Sequence, residues 1–197
     1  MKVWKVRADV FKRHCYDVCN DYETMSKIYD FYIKGYINNW DPVKVSFLSD
    51  EKRTNNFPIE NITHFVNRRD TFVCDEHAKD TLINKFPELQ FLPVDPIEKD
   101  IAEKNKYYLI NILKCFDGLN YENCEFDIMR GGCIFDIIKY DIKEEAIQYP
   151  VFYLSIKGKP FYMIYATDEF KDYVEEAGLT GFVFTEVFDF DKKESKI

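Results

Sequence analysis

The apolar positions of this chain change period several times, and each change marks an element. Val3, Trp4 and Val6 make Lys2–Arg7 read as a first strand. Within 21–35, Met25, Ile28, Tyr29 and Tyr32 recur at i, i+3, i+4 and i+7, the spacing of a short helix. Asn38, Asn39 and Pro42 predict a turn over 36–42. Val43, Val45 and Phe47 alternate with Lys44, Ser46 and Leu48, a half-buried strand, and the polar stretch 49–61 reads as a loop.

Two later stretches share one order of signals. In the first, Thr71–Cys74 is a short strand and Asp75 is placed to cap a helix. Ala78, Leu82, Ile83 and Phe86 line one face of that helix, Pro87 stops it, and Leu89–Val94 returns as a strand. In the second, Phe161–Ala166 is a strand and Thr167 an N-cap, with Asp168 and Glu169 at the positive end of the helix dipole. Phe170, Tyr173, Val174 and Ala177 form the apolar face, Gly178 suits a left-handed stop, and Gly181 leads into a final strand through Phe182, Phe184 and Val187. Between them Tyr107–Leu113, Cys133–Tyr140 and Val151–Ile156 are strand-like, and Glu144–Gln148 allows one helical turn. Residues 191–197 read as a frayed tail. The expected class is α+β, with a mixed central sheet and a few helices packed on it, including two strand–helix–strand units. Regular βα alternation is missing, which argues against a doubly wound nucleotide-binding fold. The length suits a single domain over 1–197, or two joined lobes of about 1–105 and 106–190.

Composition narrows the function. At 46% hydrophobic residues the chain is not disordered. Its 27 basic and 35 acidic residues leave a net charge of −8, which repels phosphate backbones and argues against a nucleic-acid partner. The same charge favours a basic protein partner, or serves only solubility. No apolar h-region follows the first ten residues, and no apolar run approaches the roughly 20 residues of a membrane span. A cytoplasmic location is expected, without membrane association.

Candidate chemistry is sparse. There is no G-x-G-x-x-G, P-loop, H-E-x-x-H or G-x-S-x-G. The six cysteines are read as reduced thiols, given the expected compartment. His14, Cys15 and Cys19 cluster loosely but lack the second ligand pair of a zinc site, so neither metal nor cofactor is expected. His77 follows two carboxylates at a helix start, and Cys74 precedes that helix. No partner completes a nucleophile–base pair, and both read as structural. Asp168, Glu169, Asp172, Glu175 and Glu176 read as a solvated helix face. Asp95, Glu98, Asp100 and Glu103 differ, because they fall in a connection between strands stiffened by Pro93 and Pro96. They are the candidate partner-binding residues, against the plainer reading of a solvated linker.

Taken in order, several segments resemble a bacterial polymorphic-toxin immunity family, first catalogued as a domain of unknown function. They are the KVWKVRAD stretch at Lys2–Asp9; Trp40, Pro42, Val43 and Val45; Asp75, Glu76, Ala78 and Leu82; Glu88–Pro93; the Tyr-Leu-Ile-Asn-Ile strand at Tyr108–Ile112; and the ending from Phe170 to Val187, which contains GLTGFVFTEV. The chain departs from the family where an Asp-rich D-A-L-D element is replaced by Cys115–Asn120. The resemblance implies a protein without catalysis that binds the C-terminal domain of a cognate toxin non-covalently and neutralises it. Its motifs are apolar strands and turn residues, so no binding residue is carried over from it. The competing functions are a divergent enzyme and a cytoplasmic scaffold or regulatory domain.

Overall fold

β-branched and aromatic runs dominate the chain, and strands dominate its fold. The computed structural model describes residues 1–8, 15–18, 35–48, 62–65, 72–97 and 99–194. Its strands are β1 (Lys2–Ala8), β2 (Cys15–Val18), β3 (Val43–Leu48), β4 (Ile62–Phe65), β5 (Phe72–Asp75), β6 (Leu89–Pro96), β7 (Tyr107–Ile112), β8 (Cys115–Phe116), β9 (Glu125–Ile128), β10 (Ile134–Lys139), β11 (Val151–Ile156), β12 (Lys159–Thr167) and β13 (Phe182–Asp189). Its α-helices are α1 (Glu76–Leu82), α2 (Lys99–Ala102), α3 (Asp168–Glu176) and α4 (Phe190–Glu194). The helix expected within 21–35 falls, but for Gly35, outside the described residues, as does the loop expected at 49–61.

Helices and strands are mixed as expected, but the strands do not share one central sheet. Six close into a barrel in the order β2-β3-β6-β7-β5-β4, five form a sheet in the order β13-β1-β12-β11-β8, and β9 and β10 form a separate ribbon. In neither stretch where a helix links two strands do those strands bond to each other. β7 stands between β5 and β6, and β1 between β12 and β13.

Alternation explains the division. Val43, Val45, Val73, Leu92, Val94, Tyr107 and Leu109 cluster within the barrel, with Ile37 and Trp40 packed against them. Neighbouring positions point the other way. Phe72, Cys74, Ile110 and Ile112 join Val6, Tyr153, Ile164 and Ala166 of the five-stranded sheet in a second cluster, completed by Ala78 and Leu82 of α1 and by Phe170 and Val174 of α3. Phe86 lies edge-to-face on Phe170 at 4.9 Å and on Tyr173 at 5.3 Å between ring centroids. The opposite face of the sheet presents Val3, Phe152, Leu154 and Tyr165, which pack with Ile137 of the ribbon. Helices therefore cover one face of that sheet and the ribbon covers the other.

Local signals explain the helix ends. The Asp75 carboxylate accepts the Ala78 N–H at 2.8 Å, capping α1. That helix ends at Leu82, short of Pro87, because a turn at 83–85 returns Phe86 to the core. Thr167 occupies the N-cap of α3, yet its hydroxyl makes no capping bond. Asp168 instead accepts the Lys2 N–H and the Trp4 Nε1–H, each at 2.8 Å, tying the helix to β1. Gly178 has φ +67°, a left-handed stop that an L side chain resists. The frayed tail expected over 191–197 is corrected as far as Glu194, which ends the helix Phe190–Glu194. Phe190 is buried and nucleates a helical turn, and Asp191 pairs with the Met1 ammonium at 3.0 Å. Cys74, Cys115, Cys124 and Cys133 are free thiols.

Glu88 lies where the barrel meets the sheet. Its backbone carbonyl accepts the Leu113 N–H at 2.9 Å, its side chain is buried, and its Oε1 has no hydrogen-bond partner among the described residues. Desolvation raises its pKa above the usual carboxylate range, outweighing the backbone N–H groups of Glu88 and Val151 that favour the charged form. Below the unfolded value, roughly pH 4.3, the carboxyl is neutral in both states and folding carries no ionisation penalty. The penalty grows as pH rises through the higher folded value. Glu88→Gln should therefore gain stability relative to wild type between mildly acidic and neutral pH. Urea unfolding of both proteins at each pH measures this, and an equal offset at the two pH values contradicts the assignment.

Candidate interaction surface

Three of the carboxylates singled out from sequence fall within the described residues, at the far end of β6, in the short helix after it and just beyond that helix. Asp95 is exposed on β6, in register with Lys44 of β3. Glu98 lies outside the described residues. Asp100 belongs to α2, and Glu103 is exposed just beyond it, its N–H donating to the Lys99 carbonyl. The connection is thus one helical turn and not a plain loop. Three lysines interleave with the four acids over 95–106, namely Lys99, Lys104 and Lys106, leaving a net −1. Lys106 bonds Glu76 at 3.2 Å.

The β9–β10 ribbon has a different character. Ile137 is buried beneath it, with Phe126 and Ile134 packed alongside. Yet Ile138 is 67% exposed, Phe135 58%, Ile128 58% and Met129 52%. The register explains the exposure. Ile134 faces Ile128 and Asp136 faces Asp127, then Ile137 faces Phe126 and Lys139 faces Glu125. Phe135 and Ile138 are each the extra residue of a β-bulge, without a cross-strand partner. The tip turns through Gly131 at φ +111° and Gly132 at φ +84°, closed by bonds from Met129 N–H to the Cys133 carbonyl (2.9 Å) and from Gly132 N–H to the Met129 carbonyl (3.0 Å).

The ribbon is firmly anchored. Asp136 accepts the buried Lys5 ammonium of β1 at 2.6 and 2.8 Å, and Arg7 at 3.4 Å. At the base, Asn120 and Asn123 donate to the Asp141 carboxylate at 3.0 and 2.7 Å, and Leu119 bridges Ile142. Beneath it Tyr140 and Tyr165 share a hydroxyl contact at 3.2 Å. Burial pushes the Tyr140 phenol up to about 12 and the Tyr165 phenol well above its ordinary value. Burial likewise raises the Cys124 thiol, so it stays protonated at neutral pH. Charge gathers here. From Asp117 to Glu145 the chain has eight carboxylates and three cations, a net −5 of the total −8.

Cys74 and His77, the two residues weighed for chemistry in the sequence, sit in opposite environments. Cys74 is fully buried and its thiol is raised well above its ordinary value, by desolvation first and the Asp75 charge second, while His77 is exposed at the start of α1. Among the described residues no group of three or more His, Cys, Asp and Glu side chains could hold a metal ion. His14 and Cys19 lie outside those residues. Among the described residues no helix is long and apolar enough to cross a membrane.

The family model described as "Immunity protein family (Imm11)" matches residues 20–189. The chain belongs to the Imm11 immunity protein family. A search of curated proteins finds no match. The Imm11 match takes in the ribbon and the β6–α2 segment. β1, whose Lys5 holds Asp136, precedes it.

Of the ribbon, β10 falls within the strand-like stretch Cys133–Tyr140, while β9 escaped the sequence reading, although Gly131-Gly132 between apolar flanks is a hairpin signal. The ribbon's anchor is testable. Asp136→Asn leaves the Lys5 ammonium buried without a counter-charge. It should cost about 2–3 kcal/mol, less than the roughly 3–5 kcal/mol of a fully buried pair because Asp136 stays partly open to water. The apolar pair Lys5→Met with Asp136→Leu should recover most of the loss. Chemical denaturation of the three proteins checks this, and a single variant within about 0.5 kcal/mol of wild type would mean the pair is not holding the ribbon.

Proposed function

We propose that this chain is an immunity protein that binds the C-terminal domain of a cognate polymorphic toxin non-covalently and neutralises it in the cytoplasm. The Imm11 family membership carries the reading. An acidic chain with an exposed apolar ribbon supports it, since basic partners and apolar anchors suit protein recognition. The whole chain acts as one domain in this reading, because a single apolar cluster draws on the barrel, both long helices and the five-stranded sheet. Neutralisation needs only occlusion of the toxin, so no residue here is assigned a catalytic role.

Asp95, Glu98, Asp100 and Glu103 act on encounter in this scheme. Exposed charges steer a basic partner over roughly a Debye length, and salt suppresses the effect. Because three lysines offset them, their contribution is modest.

Two measurements test the proposal, using the C-terminal domain of a secreted toxin encoded beside this gene. Cells producing the active domain should survive when they also produce this protein, and an inactivated domain should co-purify with it. Loss of both protection and co-purification rejects the reading. Neutralising all four carboxylates to Asn or Gln should slow association about two- to fivefold at low salt while changing dissociation less. An unchanged association rate at low salt removes them from the encounter path.

A further inference from the structure

We propose that the β9–β10 ribbon is the docking surface for the toxin, and that its occupant is a cationic protein face with an apolar recess. This rests on the immunity reading above and adds to it the surface and the chemistry of the partner.

Four observations converge. First, Ile128, Met129, Phe135 and Ile138 are all more than half exposed on one small element. Such clustering on a protein in water marks a contact site. Second, these side chains are not spare core. Ile137, Phe126 and Ile134 already fill the inner side of the ribbon. The two bulges remove Phe135 and Ile138 from the pairing pattern and send them to solvent. Third, the ribbon is held before any partner arrives, by Asp136 on Lys5 and Arg7, by the glycine tip and by Asp141 on Asn120 and Asn123. Ordering costs little at such a surface, so more of the contact energy appears as affinity.

Fourth, charge selects the occupant. The stretch from Asp117 to Glu145 carries a net −5, or −3 once Lys5 and Arg7, which pair with its Asp136, are counted, whereas 95–106 carries −1. Glu125 and Asp127 are exposed on the ribbon and Glu122 in the turn that precedes it; Glu125 pairs with Lys139 at 3.8 Å, and Arg130 is exposed at the tip. A second copy of this chain would bring two such negative faces together, and like charge across an interface disfavours that pairing. A basic partner face meets no such penalty. Phe135 and Ile138 would enter its recess while the carboxylates line the rim.

The experiment uses the full chain and the inactivated toxin C-terminal domain. Two variants are compared with wild type, one with Phe135→Ala and Ile138→Ala, the other with Glu122→Gln, Glu125→Gln and Asp127→Asn. All substituted side chains are exposed or at the surface, so circular dichroism and melting should stay close to wild type. The apolar variant should bind about 10- to 100-fold more weakly, mainly through faster dissociation. The charge variant should associate roughly three- to tenfold more slowly at low salt and like wild type at high salt. Wild-type affinity in the apolar variant, with toxin binding intact, overturns the ribbon assignment alone. Failure of the wild-type protein to bind the domain overturns the immunity reading and this inference with it. A wild-type homodimer that the apolar variant dissolves, seen by sedimentation, assigns the surface to a second copy and overturns the proposed occupant.

Discussion

The edge-to-face contact of Phe86 with Phe170 and Tyr173 is where the two halves of the structure become one. Phe86 belongs to the turn after α1, beside the barrel, and the other two rings belong to α3, on the five-stranded sheet. Each sheet has an apolar side that must leave water, and neither helix is long enough to cover its own sheet alone. Stacking α1 and α3 between the sheets solves both problems at once, and Phe72 with Phe182 extends the aromatic packing at 4.6 Å. A buried aromatic of this kind contributes about 3–5 kcal/mol, a large share of a domain's net stability.

Once helices occupy one face of the five-stranded sheet, the other face needs a different cover, and the ribbon supplies it. That placement explains the mixture of features around β10. Ile137 behaves as core, Asp136 as a counter-ion for a buried lysine, and Phe135 and Ile138 as surface, within four consecutive residues. Regular alternation cannot produce such a sequence of environments, and the two bulges are what permit it. A two-stranded ribbon is weak by itself, so its rigidity comes from the sheet beneath and from the charge pair at its middle.

Elements with one clean period were legible in the sequence. β3 and β11 read correctly, as did the Asp75 cap and the left-handed Gly178. The division into three sheets was not, because the decisive pairings join distant residues, such as Val3 with Thr167. The ribbon was half legible. Cys133–Tyr140 read as strand-like, but β9 offers only Phe126 and Ile128 as apolar signal, too little for a period. The short helix α2 also escaped, being a single turn. Of the tail read as frayed over 191–197, the part up to Glu194 is a helical turn; its charges suggested solvent, while the buried Phe190 beside it and the Met1 ammonium hold it. For the binding surface, composition drew notice to 95–103, where acids cluster in sequence. The interleaved lysines were visible in the same stretch and went unweighed, whereas the apolar exposure elsewhere required a folded chain.

The place of β1 bears on how this protein comes into being. It sits inside the five-stranded sheet, bonded on one side to β12 and on the other to β13, with Lys2 opposite Asp189. β1 therefore cannot complete its pairing until both β12 and β13 are present. Until then Val3 and Val6 lack neighbours, Lys5 and Arg7 lack a sheet to serve, and the face beneath the ribbon is open. Pairing of such distant segments makes folding slow compared with helical proteins of similar size. The five-stranded sheet, and with it the face on which the ribbon rests, is therefore complete only once β1 has met both β12 and β13.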